Sequence, residues 1–289
     1  KCPLKCEHCA VWDTLNQAEG MDTGELQAII DQAQERGVTQ IHLSGGEPLQ
    51  RFDTLLTLVK KASPASDVWL LTSGVGLTEE KADALVKAGL TGIQLSLDHW
   101  SPEEHNRFRG LPKLFEWVQR AAKNAKKADL VLCLNLCLTR EFVTEDNLWK
   151  YMELARSLQA GFVQFLEARS LGRYEGKNVD LLPHQLDLLN DFYHEINAGS
   201  NHPDMPLLTY HGRYTRKIGC VGSGDRFLYI DAKGHAHACP FCIGNSIDCL
   251  GENNFSEALE QFRSRGCGAF SPGKYPGSQL CGDSCTQKS

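Results

Sequence analysis

Three cysteines open the chain at a spacing suited to inorganic chemistry. Cys2, Cys6 and Cys9 form a C-x3-C-x2-C pattern, which puts three thiolates on one tight loop. Three thiolates can hold three iron corners of a cubane and leave the fourth iron open. A closed structural zinc site takes four ligands, and His8 is the neighbour that would supply the fourth. A second group gathers at the other end: Cys220, Cys239, Cys242, Cys249, Cys267, Cys281 and Cys285. Spacing alone does not choose iron over zinc for either group. Cys133 and Cys137 stand apart from both, four residues from one another in an apolar run, and so on one side of a strand. They read as buried small thiols, with a catalytic thiol or hydrogen donor as the alternative.

Twelve cysteines in 289 residues is high for a cytosolic enzyme and low for a disulfide mini-scaffold. Their clustering suits metal binding in a reducing cytoplasm, because several thiolates must converge on one inorganic centre. The chain opens Lys1-Cys2-Pro3 with no apolar stretch of the signal-peptide kind, and so abruptly that residues are expected upstream. No apolar run approaches the ~20 residues that span a bilayer, which argues against a membrane protein. A net charge of −6 argues against nucleic acid as the main partner. With 42% hydrophobic and 23% charged residues, a sizeable core can be buried.

The elements that must position these thiols follow an alternating pattern. Short apolar runs at Gln40–Ser44, Asp67–Thr72, Gly92–Ser96, Leu130–Leu138 and Gly161–Leu166 are separated by helical periodicity near 24–36, 52–62, 79–88, 114–128 and 146–160, with a last helix near 183–197. Ser101-Pro102-Glu103-Glu104 is a capping box with proline at the first helical position, and Thr78 starts another helix before Glu79 and Glu80. Gly37, Gly89 and Gly161 sit where helices should stop. Such alternation predicts an α/β fold with a parallel sheet covered by helices. Five strands are legible, and a sixth would fit before Cys2. After about residue 199 helical periodicity fades. Residues 199–206 read as a linker. Phe227–Ile230 and His235–Ala238 flank Asp231-Ala232-Lys233-Gly234 as a β-hairpin, and one helix is expected at 256–265. The division predicted is a parallel α/β domain over 1–200 and a small cysteine-rich domain over 201–289 that needs metal to fold.

Gly45-Gly46-Glu47-Pro48 follows the first run directly, at the strand end where parallel sheets bind ligands. With the cysteine loop, it resembles the radical S-adenosylmethionine (radical SAM) superfamily. Further matches fall in order: Thr72-Ser73-Gly74, Ser96-Leu97-Asp98, and His105-Asn106-Arg107-Phe108-Arg109-Gly110. The resemblance covers about residues 1–175 and implies a partial (βα)6 TIM-like barrel. It implies that Cys2, Cys6 and Cys9 hold a [4Fe–4S] cluster whose open iron is chelated by SAM. Gly45, Gly46, Glu47 and Pro48 would then meet the methionine amino group. Ser73, Ser96 and Asp98 would lie near ribose and carboxylate, and Arg109 near the carboxylate. His8 and Leu171 would border adenine.

Cys220-x13-Gly234-x4-Cys239 resembles the opening of the SPASM and Twitch auxiliary-cluster domains of the same superfamily. The later cysteines depart from the full SPASM pattern, so one or two auxiliary [4Fe–4S] clusters are implied. His235, His237 and Asp283 are possible substitute ligands, and a zinc knuckle is the alternative for the region. The activity implied is reductive cleavage of SAM to a 5′-deoxyadenosyl radical and abstraction of a substrate hydrogen, fed by flavodoxin or ferredoxin. A ribosomal peptide or protein is the favoured substrate. The alternatives are oxidation or decarboxylation of a small molecule such as an aminosugar or tetrapyrrole, and a non-catalytic zinc or iron–sulfur protein.

Overall fold

The computed structural model describes residues 1–198, 202–218, 226–241, 246–250 and 254–265. The chain divides into two compact units, one of residues 1–16, 40–63 and 67–211, the other of 17–39, 64–66 and 212–289. Helix α1 (Thr23–Glu35) therefore belongs to the second unit although it precedes the first strand in sequence. No helix among the described residues is long and apolar enough to cross a membrane.

The first unit is a parallel sheet in sequence order: β1 (Gln40–Leu43), β2 (Asp67–Thr72), β3 (Gly92–Ser96), β4 (Val131–Leu138), β5 (Phe162–Glu167) and β6 (Leu207–Tyr210). Its helices are α2 (Phe52–Ala62), α3 (Glu79–Lys87), α4 (Pro102–Arg109), α5 (Leu114–Lys127), α6 (Glu145–Ser157) and α7 (Pro183–Asn197). α4 buries His105 and Arg109 beside Phe108, while the other helices bury mainly apolar residues. In α5 the buried residues are Leu114, Phe115, Val118, Ala121, Ala122 and Ala125, which is the three-and-four spacing of a single face. Burying its Leu, Phe and Val contributes roughly 1.5–3 kcal/mol each.

The α/β reading and its parallel sheet hold. A further strand that no apolar run announces, β6, lies beyond residue 200 and pairs in parallel with β5. Its four residues are too few to show a period beside the polar stretch that precedes them. Thr78 and Ser101 cap α3 and α4 as expected, accepting from Lys81 N and Glu104 N. The reciprocal half of the Ser101 box is replaced: Ser101 N donates to His99 Nδ1 at 2.9 Å. Gly37 and Gly89 adopt the left-handed backbone after their helices. Gly161 does not; Gln159, at φ 57°, takes that place after α6.

Residues at matching register share a face of the sheet. Gln94, Cys133 and Phe162 lie in one row, and Ser96, Asn135, Gln164 and Thr209 in the next. Asn135 Nδ2 donates to Gln94 Oε1 at 3.0 Å, and Cys133 Sγ lies 3.5 Å from Asn135 Oδ1. Cys133 and Cys137 are both buried.

The second unit has its own core. Helix α8 (His211–Ile218) leads to an antiparallel sheet of β7 (Tyr229–Ile230), β8 (His235–His237) and β9 (Ser246–Asp248), followed by α9 (Asn254–Arg265). Met21, Ile29 and Ala33 pack with Ala236, Cys249, Phe255, Ala258 and Phe262. Asp231 builds the hairpin turn, its Oδ1 accepting from Lys233 N at 2.8 Å and His235 N at 3.0 Å. Gly234 turns at φ 85° with no room for a side chain against Leu250.

Candidate active site

The N-terminal loop is held to the first unit mainly through backbone. Lys5 N donates to Arg109 O at 3.1 Å and Glu7 N to Phe108 O at 2.9 Å, so the loop pairs with the last turn of α4. Glu47 N donates to Lys1 O at 2.7 Å, tying the loop to the turn after β1. Gly46 makes this approach possible, because a Cβ there would lie 2.4 Å from Lys1 O. Gly45 adopts φ 143°, a value that side-chain-bearing residues rarely take.

Two further residues, unannounced by any motif, brace the same loop. Asn16 Oδ1 accepts from Cys2 N at 2.8 Å, and its Nδ2 donates to Cys2 O at 3.1 Å. Arg173 N donates to Cys9 O at 3.1 Å, and Arg173 Nη1 to Lys5 O and Cys6 O at 2.7 and 3.2 Å. Arg173 also lies over the Trp12 ring. Asn16 sits at φ 63°, and an asparagine outside a helical pattern is the one faint signal the sequence offers for it.

Cys2, Cys6 and Cys9 are free thiols, Cys6 buried and the other two partly so. Burial pushes the Cys2 thiol up to about 11, and neighbouring thiols and Glu47 add to this. Cys6 and Cys9 are raised too, first by burial, with Arg109 pulling the other way. Three such thiols at close quarters favour a cation that deprotonates them. Among the described residues, no three His, Cys, Asp or Glu side chains close on a point that would hold a single metal ion.

Around the loop stand residues at the ends of the parallel strands. Glu47 is buried and accepts four hydrogen bonds: from Leu49 N at 3.1 Å, Thr72 Oγ1 at 2.6 Å, Ser73 N at 2.8 Å and Ser73 Oγ. The turn after β1 is thereby locked to the end of β2. Pro48 and Ser96 are partly exposed, and Leu171 is buried after β5. The His8 ring stacks on Phe108 at 4.8 Å with planes 8° apart, and its Nδ1 is buried without a partner. Burial, then the Arg109 charge, lowers the His8 pKa to about 4.

Asp98 and Arg109 face one another rather than open space. Arg109 Nε donates to Asp98 Oδ2, and Cys137 N to Asp98 Oδ1 at 2.9 Å. Asp98 N donates to His105 Nδ1 at 3.1 Å. Arg109 Nη1 reaches Cys6 Sγ at 3.7 Å. Burial alone would raise the Asp98 carboxyl, but the charge and hydrogen bond of Arg109 outweigh it and hold it low.

In the second unit, Cys239 is buried just after β8. Cys249 is fully buried in the apolar cluster. His237 Nε2 and His235 Nδ1 lie 3.0 and 3.5 Å from Asp231 Oδ2. Cys220, Cys242, Cys267, Cys281, Asp283 and Cys285 lie outside the described residues.

The Radical SAM superfamily model matches residues 1–155, more than half the chain. The chain belongs to the radical SAM superfamily. Within it, the chain is 32% identical over 247 residues to a PqqA peptide cyclase of Gluconobacter oxydans (strain 621H), covering 83% of this chain and 67% of that protein. It is 35% identical over 184 residues to the PqqA peptide cyclase of Rhizobium meliloti (strain 1021), covering 63% of this chain and 48% of that one. The chain thus spans about half to two thirds of these relatives. Among solved structures, SuiB of Streptococcus suis bound to S-adenosylmethionine superposes with TM-score 0.74 at 14% identity, covering 91% of this chain and 65% of that one. Native anSMEcpe with bound AdoMet superposes with TM-score 0.67 at 20% identity, covering 91% and 79%. Both share the fold.

Proposed function

We propose that this chain is the catalytic part of a radical SAM enzyme that modifies a ribosomally made peptide or protein. The observation that carries the chemistry is the Cys2–Cys9 loop tied by backbone to both the Gly45–Pro48 turn and the end of α4. The similarity to peptide cyclases carries the substrate class. When bound, a [4Fe–4S] cluster on Cys2, Cys6 and Cys9 together with SAM supplies one-electron cleavage to a 5′-deoxyadenosyl radical.

The chain's own work is positioning and exclusion of water. Backbone at Gly45–Pro48 receives the methionine amino group, and Glu47 fixes that turn. Ser73 and Ser96 border ribose and carboxylate. Neutral His8 on Phe108, with Leu171, offers an apolar border to adenine. The row Gln94, Cys133 and Phe162 and the row Asn135, Gln164 and Thr209 give one sheet face both apolar surface and carboxamides, a surface suited to a peptide.

The auxiliary iron belongs to the second unit, as one or two [4Fe–4S] clusters. Cys220, Cys239, Cys242, Cys267, Cys281 and Cys285 are the ligand pool. Cys249 is left out, since its surroundings are those of a core thiol. The electron donor is a flavodoxin or ferredoxin, and the compartment is the cytoplasm. The test is a short precursor peptide incubated anaerobically with the protein, SAM and reductant. A peptide mass change that needs SAM and is lost in Cys6→Ala supports the reading. An unchanged peptide alongside a modified small molecule would redirect the substrate class.

A further inference from the structure

Arg109 is the one cation whose side chain reaches a cysteine sulfur of the N-terminal loop among the hydrogen bonds described above, and it is held there from several directions. Its backbone carbonyl accepts from Lys5 N at 3.1 Å. The helix ends at once on Gly110, whose φ is 65° and whose missing side chain lets Lys5 O approach. Its Nε is engaged by Asp98 Oδ2. Asp98 is fixed in turn by Cys137 N at 2.9 Å, and through its own N–H by His105 Nδ1 at 3.1 Å. Both residues are buried, Arg109 at 9% and Asp98 at 5% exposure. With Nε committed to Asp98, Nη1 is left directed at Cys6 Sγ, 3.7 Å away.

We propose that Arg109, aimed by Asp98, is a positioning residue for the N-terminal cluster, donating to the Cys6 thiolate and setting how readily that cluster takes up an electron. The inference rests on the reading of Cys2, Cys6 and Cys9 as cluster ligands. Reduction adds one electron, delivered by the flavodoxin- or ferredoxin-type donor, with no bond made or broken in the protein. The added negative charge is shared by the thiolates, and an N–H donor at sulfur favours the reduced state. Asp98 acts in the opposite sense. Its charge offsets that of Arg109, so the pair supplies a directed N–H with little net charge.

The opposed signs make the test. The reconstituted full chain is titrated anaerobically without SAM, following the reduced-cluster signal by electron paramagnetic resonance. Cys6→Ala comes first: the signal it removes is the one to follow, and its persistence would overturn the ligand reading itself. Arg109→Gln is expected to shift that cluster's reduction equilibrium about tenfold toward the oxidised form, about 59 mV for one electron. Arg109→Lys shifts it less, and Asp98→Asn shifts it the other way. Iron per chain is measured for each variant, and SAM affinity in the oxidised state is expected to stay within a few-fold. Unchanged potentials, or shifts of one sign in both Arg109→Gln and Asp98→Asn, overturn the inference. So does lost SAM affinity at an unchanged potential, which assigns Arg109 to the SAM carboxylate. If Arg109→Gln fails to hold iron, Arg109→Lys and Asp98→Asn carry the comparison. Failure of all three marks the pair as purely structural and also overturns it.

Discussion

Glu47 Oε2 accepts from both the backbone N–H and the hydroxyl of Ser73, and this joins the turn after β1 to the end of β2. Its other oxygen takes Leu49 N and Thr72 Oγ1. A carboxylate with four donors has no room for a donor of its own. Glu47→Gln turns an NH2 toward those groups and leaves buried donors unpaired, at about 1–3 kcal/mol. The turn loosens, and SAM binding to the reconstituted protein weakens roughly tenfold for each ~1.4 kcal/mol lost there. Isothermal titration under anaerobic conditions measures this, and Glu47→Asp should recover little, since its shorter side chain cannot span Ser73 and Leu49 together.

Gly46→Ala tests the seam between the cysteine loop and the strand ends. The added methyl meets Lys1 O at 2.4 Å, so the Glu47 N–Lys1 O bond must open. Cys2 lies next to that bond. The variant is expected to lose iron from the N-terminal cluster while keeping the auxiliary iron, as read by iron analysis per chain. The control is Gly176→Ala: that residue has positive φ, unlike Gly46, but its Cβ meets nothing within 4 Å, and the variant should keep its iron.

His105 ties stability to pH. Burial, its largest cause, lowers the His105 pKa to about 4, against roughly 6.5 in an unfolded chain. The unfolded state therefore takes up the proton first as pH falls, and stability is lost from about pH 6.5 downward, levelling near pH 4. Between pH 7.5 and 5.5 this one group costs about 1.4 kcal/mol. Urea unfolding of His105→Gln at the two pH values should show a smaller difference than the wild type. An equal difference would show that other groups govern the acid limb.

Cys249 and Cys239 separate core from ligand. Cys249 is fully buried among Ala236, Phe255 and Phe262. Cys249→Ala is expected to keep the auxiliary iron and cost about 1 kcal/mol of stability as a small cavity. Cys239→Ala should lose iron from the second unit. Iron content and thermal unfolding, measured on both, decide it.

Much of the fold was legible because parallel strands covered by helices are written as continuous apolar runs, and β2 through β5 lie where such runs fall. β6 and β9 are four and three residues long, too short for a period to emerge. α1 was legible as a helix but not as part of the second unit, because its partners Ala236, Phe255 and Phe262 lie some 200 residues away and apolar periodicity does not name a partner. The thiol loop and the Gly45–Pro48 turn stand out because their chemistry requires special residues at close spacing. Asn16 and Arg173 do not, since each works through backbone atoms of Cys2, Cys6 and Cys9 that any sequence would present. Arg109 was legible as a site residue, while its engagement by Asp98 and its reach to Cys6 are set by the meeting of β3 and α4 in space.

The central claim is radical generation on the Cys2, Cys6 and Cys9 loop, and product analysis tests it most directly. The protein is reconstituted anaerobically with iron and sulfide, reduced with dithionite, and given SAM. The account predicts 5′-deoxyadenosine, and none from Cys2→Ala, Cys6→Ala or Cys9→Ala variants that retain their auxiliary iron. Intact SAM in the presence of a fully loaded, reduced N-terminal cluster would contradict it.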